Sequence, residues 1–578
     1  MKATAWCVRT LLLLALALLQ LNQQAMADSR YELIGFQGIA LDNVNAFLPA
    51  PPHGNDANNL QFQKKVMTRT TEALQAVGYY NARLNIDVVS VADTENWLIK
   101  LQVNLGLPTR VTSLDWSIDG EGANDPIFMQ RVLSSPIKKG AVFNHGDYED
   151  LKNDIQTVAL SLGYLDSYFD RPKVLIDPEL QSAAISLHFV TGARYFFGPI
   201  HYTETPLDPS FIDRISAVET GDLFSSTQIN QLYQDLVNSR YFQSVSLRPD
   251  LDARANAEVP VTIELAPRSR NLVSTGIGAS TNLGPRLKIS WEKPIINRLG
   301  HRVNSTVQWS EALKTVSASY QIPLEQPLQE FVTLRTGWTA EQFEEVAIVK
   351  QSISVERQWS LDAQWIQTLF MRWDIEKSNL NGDKNSANLY VPGASWSQVK
   401  NQPKNATDWS IYRAFDVELS HIAWGSDKSF AKLSAQMSAN RMITEPHYLN
   451  LRGRLGHIVA DDRVDIPPSV RFFTGGDQTV RGFMYNSLGP VGPSGDVIGG
   501  KNLVVASAEY AYGYLPNWRS AWFLDMGNAF DAPTPIKVGV GTGIHWLTPV
   551  GTVRFEVGYG ISEPKPPIRL HISFGLQL

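Results

Sequence analysis

Residues 471–483 read RFFTGGDQTVRGF, so the cationic Arg481 lies among glycines and phenylalanines. A stretch rich in glycine and proline follows, from Gly489 to Gly500, and this composition is typical of a loop. On both sides of the loop the chain alternates apolar and polar residues, which is the pattern of β-strands with two unlike faces. We therefore predict a loop that joins two strands of a sheet and carries a charged side chain.

The two strands after this loop direct carboxylates away from their apolar face. The apolar face consists of Val504, Ala506, Ala508 and Tyr510 in the first strand and of Trp522, Leu524 and Met526 in the second. Because successive side chains alternate between faces, Glu509 and Asp525 point the other way. Arg481 on that side would bind either carboxylate through forked, charge-assisted hydrogen bonds. An exposed loop arginine and two ordinary inward acids fit the pattern equally well.

The two-residue period extends from residue 268 to the last residue, and no helical period interrupts it. A soluble β-sandwich has the same period, but it seldom needs about 310 residues without a helix. We therefore predict a transmembrane antiparallel β-barrel over residues 268–578. Since both ends of the barrel face the periplasm in this interpretation, the strand number is even. Sixteen strands would use roughly 19 residues each with their turns, and fourteen or eighteen also fit.

The residues before the barrel repeat one pattern three times. Each copy has an opening strand, an amphipathic helix and an alternating closing strand. The opening strands are predicted at Tyr31–Gly38, Val111–Ile118 and Tyr195–Tyr202, and the closing strands at Trp97–Val103, Ala183–Phe189 and Val259–Leu265. One large α+β domain is the alternative. The regular spacing favours an arm of three small α+β modules, at residues 28–106, 107–191 and 192–267.

Residues 1–27 are typical of a secretory signal peptide. Lys2 and Arg9 flank the start, Leu11–Leu19 is apolar, and Ala25-Met26-Ala27 resembles a cleavage site. The apolar run is shorter than the roughly 20 residues of a spanning helix. Cys7, the only cysteine, lies in this segment, so we expect no disulfide or thiolate metal site in the mature chain. The formal net charge of -6 offers no basic surface, so we expect no nucleic-acid partner.

The sequence contains no regular catalytic motif: no Gly-x-Ser-x-Gly, no His-Glu-x-x-His, no Cys-x-x-Cys and no phosphate-binding glycine loop ending in Lys-Ser or Lys-Thr. We therefore expect no catalytic, cofactor-binding or metal-binding residues, and no enzyme activity. Dispersed Ser and His residues, as in a barrel phospholipase, would escape such a search.

Two further motifs accompany the modules and the barrel. Val480-Arg481-Gly482-Phe483 lies in the loop, and Phe523-Leu524-Asp525-Met526-Gly527 lies in a later strand. Together with the three modules, they resemble the POTRA-plus-barrel superfamily of outer-membrane assembly and translocation proteins, over essentially the whole mature chain. Within it, two-partner secretion transporters typically have two POTRA modules and BamA has five. Three modules resemble the TamA branch, the translocation and assembly module subunits.

The resemblance implies a sixteen-stranded barrel in the cell outer membrane, with the POTRA arm in the periplasm. It implies that the loop folds into the lumen, where Arg481 binds Asp525 and Glu509. Gly482 would allow the backbone to approach the wall, and Phe483 would pack there. Finally, it implies that a TamB-like inner-membrane protein docks on the first module.

A weak seam is expected where the first and last strands close the ring. We assign it to Val273, Gly276 and Gly278 in the first strand and to Ile572, Phe574 and Leu578 in the last. A client strand in hydrocarbon has unpaired backbone groups, which an open seam could pair by β-augmentation. The leading interpretation is thus an assembly factor that inserts unfolded outer-membrane proteins, such as autotransporters, into the bilayer. A two-partner-secretion export pore remains an alternative, as does a passive channel or barrel enzyme.

Overall fold

The computed structural model describes residues 30–574, apart from 52–58, 91–96, 362–363, 381, 401–406, 462–465, 494 and 550. The predicted signal peptide and the predicted seam residue Leu578 lie outside the described residues. Those residues form two compact units. One contains the first two modules and part of the third, and the other contains the rest of the third module and every later strand. No helix in the described ranges combines the length and the apolar character needed to span a bilayer.

Each module has a three-stranded sheet and two helices. The first module consists of β1 (Arg30–Ile34), α1 (Gly38–Phe47), α2 (Leu60–Ala76), β2 (Arg83–Ser90) and β3 (Trp97–Asn104). The second consists of β4 (Arg110–Asp119), α3 (Pro126–Ser134), α4 (His145–Ser161), β5 (Tyr168–Asp177) and β6 (Ser182–Val190). The third consists of β7 (Phe196–Tyr202), α5 (Pro209–Asp213), α6 (Ser226–Asn238), β8 (Phe242–Pro249) and β9 (Glu258–Pro267).

The three sheets share one topology, in which the closing strand lies in the centre. Their strand orders are β1-β3-β2, β4-β6-β5 and β7-β9-β8. In the first two sheets the opening strand runs parallel to the central strand, and the remaining strand runs antiparallel to it. The repeated order of elements therefore agrees with the modular pattern in the sequence.

The long helices are capped at their N-termini by polar side chains, and their apolar faces are buried. The side chain of Asn59 accepts a hydrogen bond from the N–H of Gln61 at the start of α2, and Asn144 caps α4 in the same way. Val66, Ala73 and Leu74 of α2 are fully buried together with Leu101 of the central strand. The one-sided burial follows from the helical spacing of the apolar residues.

The same backbone hydrogen bond joins each module to the segment that follows it. The N–H of a residue at the start of the next module or of the barrel donates to a carbonyl just after the preceding helix. These bonds join Thr109 to Gly78 at 2.8 Å, Tyr195 to Gly163 at 2.9 Å, and Arg268 to Tyr241 at 2.9 Å. Gly78 and Gly163 have φ of 92° and 91° in these turns. Each joint also has side-chain hydrogen bonds, such as the one between Tyr80 and His145 at the first joint.

After the modules, sixteen antiparallel strands form a closed barrel, which confirms the predicted architecture. They are β10 (Leu272–Ser280), β11 (Gly284–Lys293), β12 (Arg302–Ser310), β13 (Leu313–Pro323), β14 (Glu330–Phe343), β15 (Val346–Ser360), β16 (Trp365–Leu380) and β17 (Asp383–Lys400). The remaining eight are β18 (Ser410–Ser420), β19 (Phe430–Thr444), β20 (His447–Val459), β21 (Asn502–Leu515), β22 (Trp518–Phe530), β23 (Lys537–Thr548), β24 (Gly551–Tyr559) and β25 (Ile568–Phe574).

The barrel has an apolar exterior and a polar interior. On β22, for example, Trp522, Leu524 and Met526 are exposed on the outside, whereas Asp525 is fully buried on the inside. Bilayer hydrocarbon would cover the exposed apolar side chains. The barrel exterior therefore fits the hydrocarbon of a membrane.

The ring closes between β10 and β25, at the boundary that we call the seam. Ala279 is paired with Phe574 and Ser280 with Ser573, and the N–H of Thr281 donates to the carbonyl of Ile572. Since β10 ends at Ser280, the residues of β25 from Ile568 to His571 extend past the end of β10. This part of the last strand has β24 as its neighbour on one side and no paired strand residue of β10 on the other.

Candidate functional site

A long connection folds into the barrel lumen. Residues 460–501 connect β20 to β21, and we call their described part the inner loop. Val480, Phe483 and Leu488 of this loop are buried together as a small apolar cluster. The loop is thus packed within the protein instead of extending into solvent.

Arg481 of the inner loop is bound by three carboxylates of the barrel wall. Its Nε and Nη2 donate to the two oxygens of Asp525 at 2.7 and 3.0 Å. Its Nη1 donates to Glu509 at 2.5 Å and to Glu556 at 3.2 Å. Only 1% of Arg481 is exposed. We call these four residues the lock. A buried guanidinium is costly unless it is paired, and here the forked donors match fixed carboxylates on three strands.

Other groups hold the lock in place. The backbone N–H of Arg481 also donates to Asp525, at 3.0 Å, and the hydroxyl of Ser507 donates to the same carboxylate at 2.7 Å. The guanidinium lies 3.5 Å from the ring centre of Phe523, where a cation–π interaction adds attraction. His545 is hydrogen-bonded to Glu556 at 2.8 Å. The orientations of Asp525 and Glu556 are therefore fixed by partners besides the Arg481 side chain.

The backbone of the inner loop passes against the wall at positions where glycine is required. A Cβ atom on Gly539 of β23 would overlap the carbonyl oxygen of Arg481. Gly482 has φ of 95° and lies against Gly558 and Gly560. Any side chain at these wall positions would displace the loop from the lock.

The inner loop also contacts both sides of the seam. The N–H of Gly482 donates to Nε2 of His571 on β25, at 3.0 Å. On the other side, Asn282 in the turn after β10 donates from its side-chain amide to the carboxylate of Asp477. The first hairpin and the last strand are therefore both hydrogen-bonded to the inner loop.

Glu509, His545 and Glu556 could supply three ligand atoms to a metal ion, since these atoms lie within 4.8 Å of one another. However, the Arg481 guanidinium is hydrogen-bonded to both of these glutamates and supplies positive charge where an ion would bind. The residues therefore fit an arginine lock better than a metal centre.

Val480 and Phe483 are buried in the inner loop beside Arg481, which binds Glu509 and Asp525. A Cβ atom on Gly527 would meet Val504 and Val505 of the neighbouring strand. Gly527 instead allows close packing within the wall.

The predicted seam residues differ in their positions. Ile572 and Phe574 bond or pair with the end of β10, and a Cβ atom on Gly278 would lie 2.8 Å from the carbonyl oxygen of Phe574. Val273 and Gly276 lie nearer the start of β10, where they pair with Trp291 and Lys288 of β11. Val273 is an exposed side chain of the barrel exterior.

The sequence analysis missed Glu556, His571 and Asn282. The alternating pattern could have placed the first two, because Phe555 and Val557 flank Glu556, and Leu570 and Ile572 flank His571. Nothing local in the sequence marks Asn282, whose partner Asp477 is 195 residues away.

Comparisons with known proteins agree with this architecture. The family model described as Omp85 superfamily domain matches residues 227–577, which is more than half of the chain. A second model, described as POTRA domain TamA domain 1, matches residues 30–105. The two matches cover the barrel and the first module respectively.

Two curated relatives share part of the sequence. Outer membrane protein assembly factor BamA of Nitratidesulfovibrio vulgaris is 30% identical over 168 residues, which are 28% of this chain and 21% of that protein. Sorting and assembly machinery component 50 homolog A of Xenopus laevis is 30% identical over 149 residues, which are 24% of this chain and 30% of that protein. The chain thus matches less than a third of the length of either relative.

Among solved structures, the crystal structure of BamA from Haemophilus ducreyi lacking POTRA domains 1-3 is similar, with a TM-score of 0.67. The superposition covers 81% of this chain and 99% of that chain at 14% sequence identity. At this identity the similarity shows a shared fold.

Proposed function

The chain belongs to the Omp85 superfamily, and from this premise we propose that it assembles and inserts β-barrel proteins into the outer membrane through the seam. The proposed clients are unfolded outer-membrane proteins such as autotransporters. The proposed branch is that of TamA, which the match of residues 30–105 to a TamA-type POTRA domain supports.

One observation carries this proposal: the last strand continues past the end of the first. Ile568 to His571 of β25 lie beyond the pairing of Ser280 with Ser573. The side chains of Ile568 and Leu570 are 66% and 55% exposed, so this edge is apolar. Unpaired strand edges bind further strands.

This edge offers a template for a client strand in the bilayer. A strand in hydrocarbon loses several kcal/mol for each unpaired backbone group, so pairing with β25 lowers the barrier to insertion. The wall is also low here, because β10 and β24 have nine residues each while β16 and β17 on the far side have 16 and 18. A low wall favours local thinning of the bilayer. Folding of the client supplies the free energy, so no catalytic group is needed.

We further propose that the first module docks an inner-membrane partner of the TamB type. The exposed apolar side chains Ile39 on α1 and Leu60 on α2 offer contact points on this module, with 55% and 80% exposure. Docking there would connect the periplasmic arm to the inner membrane.

Site-specific photocrosslinking in cells tests the seam. A photoreactive residue replaces Leu570 on the free part of β25, and a matched probe replaces Leu369, which is exposed on β16 across the barrel. We expect nascent barrel proteins to be trapped at position 570 and not at 369. Equal trapping at both positions would contradict the proposal, and trapping of a single exported polypeptide at position 570 would indicate a secretion pore.

A second pair of probes tests the partner. Photoreactive residues at Ile39 in the first module and at Leu175 in the second are both exposed. We expect a large inner-membrane protein at position 39 only. Capture of that protein at 175 instead would assign the docking surface to the second module.

A further inference from the structure

A large cavity in the barrel lumen has a strongly cationic lining. Its volume is about 800 Å³, and it lies between β10, β11, β20, β24 and β25, beside the inner loop. The arginines of its lining are Arg286, Arg452, Arg454 and Arg554, and the one carboxylate among the described lining residues is Asp477. Asp477 already accepts a hydrogen bond from Asn282.

The arginines of this cavity differ sharply from Arg481. Arg481 binds three carboxylates, whereas Arg452 donates to two neutral oxygens, the Gln478 carbonyl at 3.4 Å and the Ser507 hydroxyl at 3.2 Å. A guanidinium has five N–H donors, so Arg452 retains unused donors toward the cavity. In the described part of the chain, neither Arg286 nor Arg454 forms an ion pair.

The four arginines of the lining outnumber its one carboxylate, and this cationic lining attracts an anion. Walls of low dielectric constant focus the field of the arginines, which raises the local concentration of negative ligands. The forked guanidinium donors match the oxygens of a phosphate group, with which they form paired hydrogen bonds. The volume also suits a group larger than a single inorganic ion.

The position of the cavity indicates where this phosphate comes from. Ser280, Ser573 and Phe574 line the cavity, and the same three residues belong to the short ladder of the seam. The seam faces bilayer hydrocarbon on its outer side. An amphiphile at the seam could therefore insert its headgroup between the arginines while its acyl chains stay in the membrane.

We propose that this cavity binds the phosphate headgroup of an anionic phospholipid, held by Arg452 and Arg454 and admitted at the seam. The site does not depend on client insertion, so its test is independent of the test of the proposed function. Arg286 and Arg554 complete the cationic wall.

Lipid binding by the full-length purified chain tests this site. The delipidated protein is placed in nanodiscs of phosphatidylcholine with or without phosphatidylglycerol, and retained lipid is measured by native mass spectrometry. We expect retention of phosphatidylglycerol over phosphatidylcholine. The variant R452Q/R454Q should lose roughly tenfold or more of this retention, because it lacks two phosphate-binding guanidinium groups.

The matched control is R335Q. Arg335 faces the lumen and is paired with Glu356 at 3.1 Å, and it lies outside the cavity lining. This variant loses the same kind of charge and should retain phosphatidylglycerol like the wild type. Both variants must show the heat-dependent gel shift of a folded barrel, and R454Q alone replaces the double variant if that one fails to fold.

Two outcomes would overturn the proposal. One is equal retention of phosphatidylglycerol by R452Q/R454Q and the wild type. The other is binding of inorganic phosphate at millimolar concentration with no preference for phosphatidylglycerol, which would assign the cavity to a soluble anion.

Discussion

Removing the guanidinium of the lock should release the inner loop. In Arg481→Ala, the carboxylates of Asp525, Glu509 and Glu556 lose the cation to which all three are bonded. Breaking a buried ion pair by deleting one partner costs about 3 to 5 kcal/mol. This cost falls on the docked loop, because undocking returns the acids to an aqueous lumen.

A free-energy change of this size predicts a roughly 150-fold to 5,000-fold shift toward the undocked loop. Arg481→Lys should give a smaller shift, since the ammonium keeps the charge but cannot form the bidentate bond to Asp525. The effect of Arg481→Ala exceeds that of an exposed pair, which contributes at most about 1 kcal/mol.

Thiol labelling measures this shift. Thr479 is 8% exposed in the inner loop, and Cys7 is the only cysteine of the sequence, so Thr479→Cys introduces a reporter next to the lock. Its labelling rate in outer-membrane vesicles should rise by the predicted factor in Arg481→Ala. Arg335→Ala, which breaks a wall ion pair away from the loop, should leave the rate unchanged. An unchanged rate in Arg481→Ala would refute the reasoning.

Three further changes test other parts of the structure by hydrogen exchange of the full chain. His571→Phe removes the acceptor of the Gly482 N–H, at a cost of about 1 to 3 kcal/mol, so the loop and β25 should exchange faster; unaltered exchange would argue against this bond. In Gly163→Ala, the new methyl group overlaps the Phe224 carbonyl at φ of 91°, so the joint between the second and third modules should loosen by about 1 to 3 kcal/mol, and an unaltered joint would contradict the strain. Burial lowers the pKa of His145 below 6.5, so the unfolded state binds more protons and stability is lost as the pH drops below 6.5; the protection of the α4 amides relative to their intrinsic exchange rates should therefore be smaller at pH 5 than at pH 7.5. His145→Asn should remove that pH dependence.

The two-residue period was sufficient to predict which side chains face the lumen. It placed Glu509 and Asp525 inside, and both are buried beside Arg481. The same period could have placed Glu556 and His571, but it could not select them from the other inward residues. Which inward residues contact the inner loop depends on the strands that lie beside it, and the closure of the ring determines which strands those are.

Strand register was not accessible from the sequence. An apolar alternation in β25 permits pairing with β10 at any even offset, so the sequence did not show that pairing ends at Thr281 and Ile572. The contact of Asn282 with Asp477 was likewise not predictable from the sequence. It requires a closed ring and a folded loop, neither of which leaves a local signal.

The joints between modules have a consequence for how such arms change in length. Each joint includes one main-chain hydrogen bond to a carbonyl just after a helix, at Gly78, Gly163 or Tyr241. Main-chain atoms are the same in every residue, so a copied module presents the acceptor that its new neighbour needs. For this bond, duplication or deletion of a whole module demands no compensating substitution, so only side-chain contacts such as that of Tyr80 with His145 have to be matched again when the arm gains or loses a module.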